Sequence, residues 1–142
     1  MTSTVTVETA PPHFLENITV GRHTLQVDEP LSAGGGDVAP TPYELLLGAL
    51  GACKTITLRM YAERKQWPLE GVHINLSHAR VHAEDCANAG GGSCLLDDIQ
   101  VEIELIGPLA PEQRRALLEI AEKCPVQRTL SSRLAIHTRA KE

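Results

Sequence analysis

The spacing of apolar and polar positions changes character along the chain. Residues 17–27, NITVGRHTLQV, form two β-favouring runs around Gly21-Arg22, the pattern of a tight hairpin. DEPLSAGGGDVAPTP follows; it is rich in Gly and Pro, no G-x-x-x-x-G-K pattern accompanies it, and it reads as a connector. A helix is predicted from Pro42, with Thr41 as N-cap, Pro42 at the first helical position and Glu44 completing a T-x-x-E capping box. It runs to about Gln66, where Trp67-Pro68 stops it. Its first half is apolar nearly all round and should be buried on most sides, whereas Glu63-Arg64-Lys65 should be solvated.

Period-2 alternation then takes over. Val72, Ile74 and Leu76 mark one half-buried strand in VHINLSHARVHA, and Ile99, Val101, Ile103 and Leu105 mark another in IQVEIELIG, with CANAGGGSC as a loop tip between them. A helix from Pro111 to about Lys123 turns Leu117, Leu118, Ile120 and Ala121 toward the core; a short helix starts at Pro125, and a final strand, LAIHT, is expected at 134–138. Neither an internal repeat nor a domain boundary is visible. The pattern specifies an α+β fold in a single domain covering residues 1–142.

Composition narrows the function classes. Aromatics are only 3% of the 142 residues, so base-stacking platforms are scarce, and the net charge of -5 disfavours nucleic acid or an anionic membrane as partner. The N-terminus has neither a basic segment nor an apolar one of secretory type, and the apolar run around residues 45–53 is too short to span a bilayer. A cytoplasmic protein is the expectation. In that compartment the cysteines read more readily as metal ligands or catalytic thiols than as a disulfide framework.

Cys53 lies within ELLLGALGACKTITL, preceded by Gly48, Ala49, Gly51 and Ala52. Glycine inside a helix costs roughly 1 kcal/mol relative to alanine, so two of them point to a close approach by another backbone or a substrate. Core packing and chemistry both account for this. Cys124, directly before Pro125, stands at the start of a helix, where N–H groups and the helix dipole favour a thiolate, and Lys123 and Arg128 add positive charge. A cysteine that is merely buried there fits equally well. His78 and His82 fall on one strand face but about 13 Å apart, and Cys86 and Cys94 lack metal-binding spacing, so no metal site is assigned.

Taken together, P-x-E-L-L-L-x-A-L-G-A-C at 42–53 and K-C-P-V-x-R-T-L at 123–130 resemble the OsmC/Ohr family, the osmotically inducible and organic hydroperoxide resistance proteins, and look closest to its OsmC-like branch. The resemblance implies an interwound homodimer, with sheets wrapped around two central buried helices, and thiol-dependent reduction of organic hydroperoxides without metal or organic cofactor. It implies that Cys53 is the peroxidatic and Cys124 the resolving cysteine, with Arg22 and Glu44 completing the site. Electrons would come from a small or protein-bound dithiol. The chemistry is coherent: a thiolate attacks the peroxide, an alcohol leaves, and a second thiol condenses with the sulfenic acid before over-oxidation. An arginine can favour the attacking thiolate and bind the peroxide oxygens.

Positions 43 and 127 depart from the family pattern, whereas Arg22 matches the family's Gly-Arg element. Tyr43 stands where the well-known peroxidases commonly have the glutamate, and Glu44 follows one residue later, turned by about 100° on a helix. Glu44 is therefore either a site residue or only the cap. Arg22 on a hairpin turn is either catalytic or solvated, and Gln127 stands where relatives often have histidine. The alternative reading is a non-catalytic redox sensor or binder of small apolar ligands that keeps the same dimer.

Overall fold

The computed structural model describes residues 3–82 and 95–141 and divides the chain into two compact units, residues 1–47 and 48–142. The α+β class is as the alternation of patterns specifies.

The N-terminal unit carries an antiparallel sheet of β1 (Thr6–Thr9), β2 (Glu16–Val20) and β3 (His23–Val27), in that order. The predicted hairpin is β2–β3: Val20 pairs with His23, leaving Gly21 and Arg22 as a two-residue turn. Gly21 has φ 58°, the left-handed value that a type II′ turn needs at its first central position. β1 is an addition to the sequence reading, paired from Thr6↔Thr19 to Thr9↔Glu16.

The connector is ordered by one carboxylate. Asp28 is 2% exposed; its Oδ1 accepts the Glu29 N–H at 2.8 Å and its Oδ2 the N–H groups of Gly36 and Val38 at 3.1 and 3.3 Å. These amides, the Glu29 N–H foremost, hold its carboxyl below the usual carboxylate range. Gly35 is obligatory here, because a Cβ would lie 1.9 Å from the Glu29 carbonyl oxygen.

Helix α1 (Pro42–Lys65) begins with the predicted capping box: Thr41 Oγ1 accepts the Glu44 N–H at 3.2 Å and the Glu44 carboxylate accepts the Thr41 N–H at 3.4 Å. The expectation that its first half is buried on most sides is corrected. Leu50, Gly51 and Lys54 are buried, but Leu46, Ala49, Ala52 and Ile56 are exposed. An all-round apolar helix needs neighbours all round, and one chain supplies them on one side only.

In the C-terminal unit, β4 (Gly71–His82) and β5 (Leu95–Ile106) form a long antiparallel ladder, from Gly71↔Ile106 to His82↔Leu95. Ile99, Val101, Ile103 and Leu105 share the inner face, as the alternation requires, while the residues between them are exposed. The loop with Cys86 and Cys94 lies outside the described residues. Next come α2 (Pro111–Ala121) and α3 (Pro125–Leu130). Leu58 and Ala62 of α1, Leu105 of β5, Leu109, and Leu117 and Ala121 of α2 form the buried core. Leu118, expected inside, is 46% exposed: it lies one position, about 100°, from the Leu117–Ala121 stripe. Arg114 fastens α2 to the end of β5, donating to the carbonyls of Leu105 and Gly107 at 2.7 and 2.8 Å.

The predicted last strand is absent. Residues 134–138 have no ladder partner among the described residues, and Leu134 and Ile136 are 58% and 79% exposed. Alternation prepares a segment for an edge, but a strand exists only where an edge pairs with it.

Candidate active site

The small residues before Cys53 have different roles. A Cβ on Gly51 would meet Leu76 Cδ1 at 2.7 Å, so β4 packs closely against α1 there, whereas Gly48 has open space around it. Cys53, one step around the helix from the buried positions, is half-buried, and its thiol is free.

Cys124 is the N-cap of α3, as its position before Pro125 predicts. Its backbone is extended, and its Sγ accepts the Gln127 N–H at 3.3 Å. The side chain is 0% exposed. Burial pushes its thiol pKa up; the Gln127 N–H opposes this, the neighbouring Cys53 thiol raises it further, and the charge of Lys54 opposes again. Cys53 is thus near enough to Cys124 to act on its ionisation. The cation engaged is Lys54, however; Lys123 and Arg128, the two expected from sequence, are exposed.

Lys54 is the residue that sequence reasoning missed. It is 1% exposed, and its Nζ donates to the Ala121 carbonyl at the end of α2 at 2.8 Å and to Gln127 Oε1 in α3. Glu122 Oε1 lies 4.0 Å away. A signal was present in the spacing: Leu50, Lys54, Leu58 and Ala62 recur every fourth residue on one stripe of α1, and all are buried. A pocket of about 310 Å³ opens beside this group, lined by Leu50, Lys54, Ile99, Val101, Glu122, Gln127, Leu130 and Ser131. Half of its lining is aliphatic, from Leu50, Ile99, Val101 and Leu130, and half is polar, from Lys54, Glu122, Gln127 and Ser131.

The other predicted site residues, Arg22 and Glu44, belong to the N-terminal unit. Arg22 is exposed on the hairpin turn, without a hydrogen bond or ion pair among the described residues. Glu44 is engaged in the cap of α1. His78 Nε2 lies 2.9 Å from Asp97 Oδ1 across the β4–β5 ladder, and among the described residues no group of three His, Cys, Asp or Glu side chains is placed to hold a metal ion. No helix among them is long and apolar enough to cross a membrane.

Residues 34–139 match the family described as OsmC-like protein. Among solved structures, the chain is similar to an OsmC-like protein of Mycoplasma pneumoniae, at 17% identity and TM-score 0.72 over 92% of this chain and 87% of that one. It is similar to the organic hydroperoxide resistance protein OsmC of Legionella pneumophila, at 19% identity and TM-score 0.65 over 92% and 90%. It also resembles the organic hydroperoxide resistance protein OhrB of Bacillus subtilis, at 18% identity and TM-score 0.62 over 92% and 91%. At these identities the likeness is one of fold. No curated protein matches the chain significantly.

Proposed function

Starting from the fact that the chain belongs to the OsmC family, we propose that it is a thiol-dependent peroxidase that reduces organic hydroperoxides to alcohols. Cys53 is the attacking thiol, because it is the more accessible of the two and lies on the helix that bears the family motif. Its thiolate takes the terminal peroxide oxygen, the alkoxide leaves and is protonated to the alcohol, and Cys53 becomes a sulfenic acid. Cys124 condenses with it to a disulfide, which an external dithiol reduces. The observation that carries this reading is that α1, which bears the free thiol Cys53, is tied through the adjacent Lys54 to Ala121 and Gln127, on either side of the second free thiol, Cys124. Leu50, Ile99, Val101 and Leu130 on the aliphatic side of the pocket would receive the apolar part of an organic hydroperoxide, which hydrogen peroxide lacks.

The reading includes a cytoplasmic homodimer acting as a single domain per chain, without cofactor. Leu46, Ala49, Cys53, Ile56 and Met60 recur at alternating three- and four-residue spacing along α1, and its four apolar members are exposed. Such a seam suits a second copy of the helix. In this reading Arg22 activates Cys53 and Glu44 orients it. The capping role of Glu44, with Tyr43 at the family's glutamate position, favours the second reading, a redox sensor or small-ligand binder on the same dimer.

Steady-state turnover of cumene hydroperoxide with a dithiol separates the two. The native protein should turn over, and Cys53→Ser should be inactive while still folded. A native protein that consumes no hydroperoxide would leave the sensor reading. One equivalent of hydroperoxide should yield a Cys53–Cys124 disulfide by mass spectrometry, and Cys124→Ser should consume that equivalent and accumulate sulfenic or sulfinic acid at Cys53.

A further inference from the structure

Cys124 has a difficult task in that cycle. To resolve the sulfenic acid it must attack as a thiolate, yet it is completely buried, and a charged sulfur in such a place needs a compensating charge. The groups facing it can be named. From α1 come the Cys53 thiol and the Lys54 ammonium; from α3 comes the Gln127 N–H at 3.3 Å. The nearest carboxylate to Lys54 is that of Glu122, at 4.0 Å and 69% exposed, so water screens it. Lys54 is thus the internal cation of the group.

Its hydrogen bonds fall on both sides of the cysteine. One acceptor, the Ala121 carbonyl, ends the helix before Cys124, and the other, Gln127 Oε1, is in the first turn of the helix after it. Gln127 in turn donates its backbone N–H to the Cys124 sulfur. A displacement of Lys54 would release both ends of the segment 121–127 that sets the direction of the sulfur.

We infer that Lys54 is a positioning residue for the resolving step: its ammonium clamps α2 and α3 around Cys124 and stabilises the thiolate that attacks the Cys53 sulfenic acid. The inference rests on the peroxidase reading for its biological setting. The step balances: the Cys124 sulfur forms a bond to the Cys53 sulfur, the S–O bond of the sulfenic acid breaks, and the departing hydroxide takes up the Cys124 thiol proton as water. The Cys124 sulfur is oxidised and the sulfenic sulfur is reduced by the same electron pair; the organic hydroperoxide is the oxidant of the preceding step.

The test is single-turnover oxidation of the full chain by one equivalent of cumene hydroperoxide. Sulfenic acid is trapped with dimedone, and disulfide formation is followed by quenching and mass spectrometry. In Lys54→Gln the disulfide step should fall at least tenfold further than peroxide consumption, its pH profile should move to higher pH, and dimedone trapping should rise. Lys54→Arg, which keeps the charge, should retain the native pH profile. If Lys54→Gln does not fold, Gln127→Ala, which removes one of the two ties from a short helix, should slow the disulfide step several-fold. A second arm uses diamide, which couples neighbouring thiols without peroxide. Pairing of Cys53 with Cys124 by diamide should show the same dependence on residue 54, even if cumene hydroperoxide is never consumed. Failure of the peroxidase reading alone is thereby told apart from failure of this one. Disulfide formation within twofold of native in Lys54→Gln, or in Gln127→Ala where that is the folded variant, with an unmoved pH profile in both arms, overturns the role of Lys54.

Discussion

Two charged side chains are buried among the described residues, Asp28 in the N-terminal unit and Lys54 in the C-terminal one. Both are hydrogen-bonded, as buried charges must be: Asp28 by main-chain N–H groups, Lys54 by a main-chain carbonyl and the Gln127 side-chain oxygen. Asp28 accepts three amides from a stretch within ten residues of itself, so it acts on its own loop. Lys54 reaches acceptors 67 and 73 positions away, on two other elements, and lies beside a thiol and a pocket. A local tie folds a connector. A long-range tie fixes the geometry of separate helices, which is what a reacting pair needs. The difference in reach is the reason to read Asp28 as structural and Lys54 as part of the chemistry.

The strongest attack on that comparison is Lys54→Met, which keeps the length and removes the donor. It orphans two acceptors, the buried Ala121 carbonyl and the part-buried Gln127 oxygen. At about 1–3 kcal/mol for a buried unsatisfied group and less for the second, the folded state should lose about 2–4 kcal/mol in urea unfolding. A loss below about 0.5 kcal/mol would mean that water reaches Nζ freely and that the clamp is not one. Next in size is Arg22→Ala. As an exposed residue without partners among the described residues it should leave stability unchanged, yet under the peroxidase reading it should slow peroxide reduction more than tenfold at neutral pH, about 1.4 kcal/mol. An unchanged rate makes Arg22 a solvated turn residue.

The pH dependence of stability sets the two units against each other. Cys124 has a raised pKa in the folded state, so its contribution is fully present below its unfolded value, near 9.0, and is lost as pH rises through the folded one. Alkaline unfolding should therefore be steeper in the native protein than in Cys124→Ala. Asp28 has a lowered pKa, so its contribution is present above its unfolded value, near 3.8, and is lost as pH falls through the folded one. Asp28→Asn should flatten the acid limb and leave the alkaline limb alone. Equal acid limbs in the two proteins would remove the connector's reliance on that carboxylate. The smallest effect separates the two helix glycines. Gly48→Ala, into open space, should gain up to about 1 kcal/mol of helix stability, while in Gly51→Ala the contact with Leu76 should cancel most of it. A Gly48→Ala loss would show that another backbone approaches that position in solution.

Much of this was legible in residues 17–27, 41–66 and 99–107, because hairpin turns, capping boxes and period-2 alternation are local: the chain's own neighbours supply the hydrogen bonds and the faces. The N-cap place of Cys124 was legible for the same reason, Pro125 being a helix start wherever it packs. The family motifs brought Cys53 and Cys124 to attention, but their proximity depends on α1, α2 and α3 meeting across some seventy positions. Lys54 shows the limit most clearly. In sequence it is a charge beside Cys53 that diverges from it on the helix, and only packing against α2 and α3 decided that it would be buried and turned toward Cys124. The same holds for LAIHT and the apolar first half of α1. The side-chain pattern there determines which faces seek cover, whereas whether anything covers them is a property of the assembled surfaces, because burial and strand pairing are free energies of contact between elements and not of any one of them.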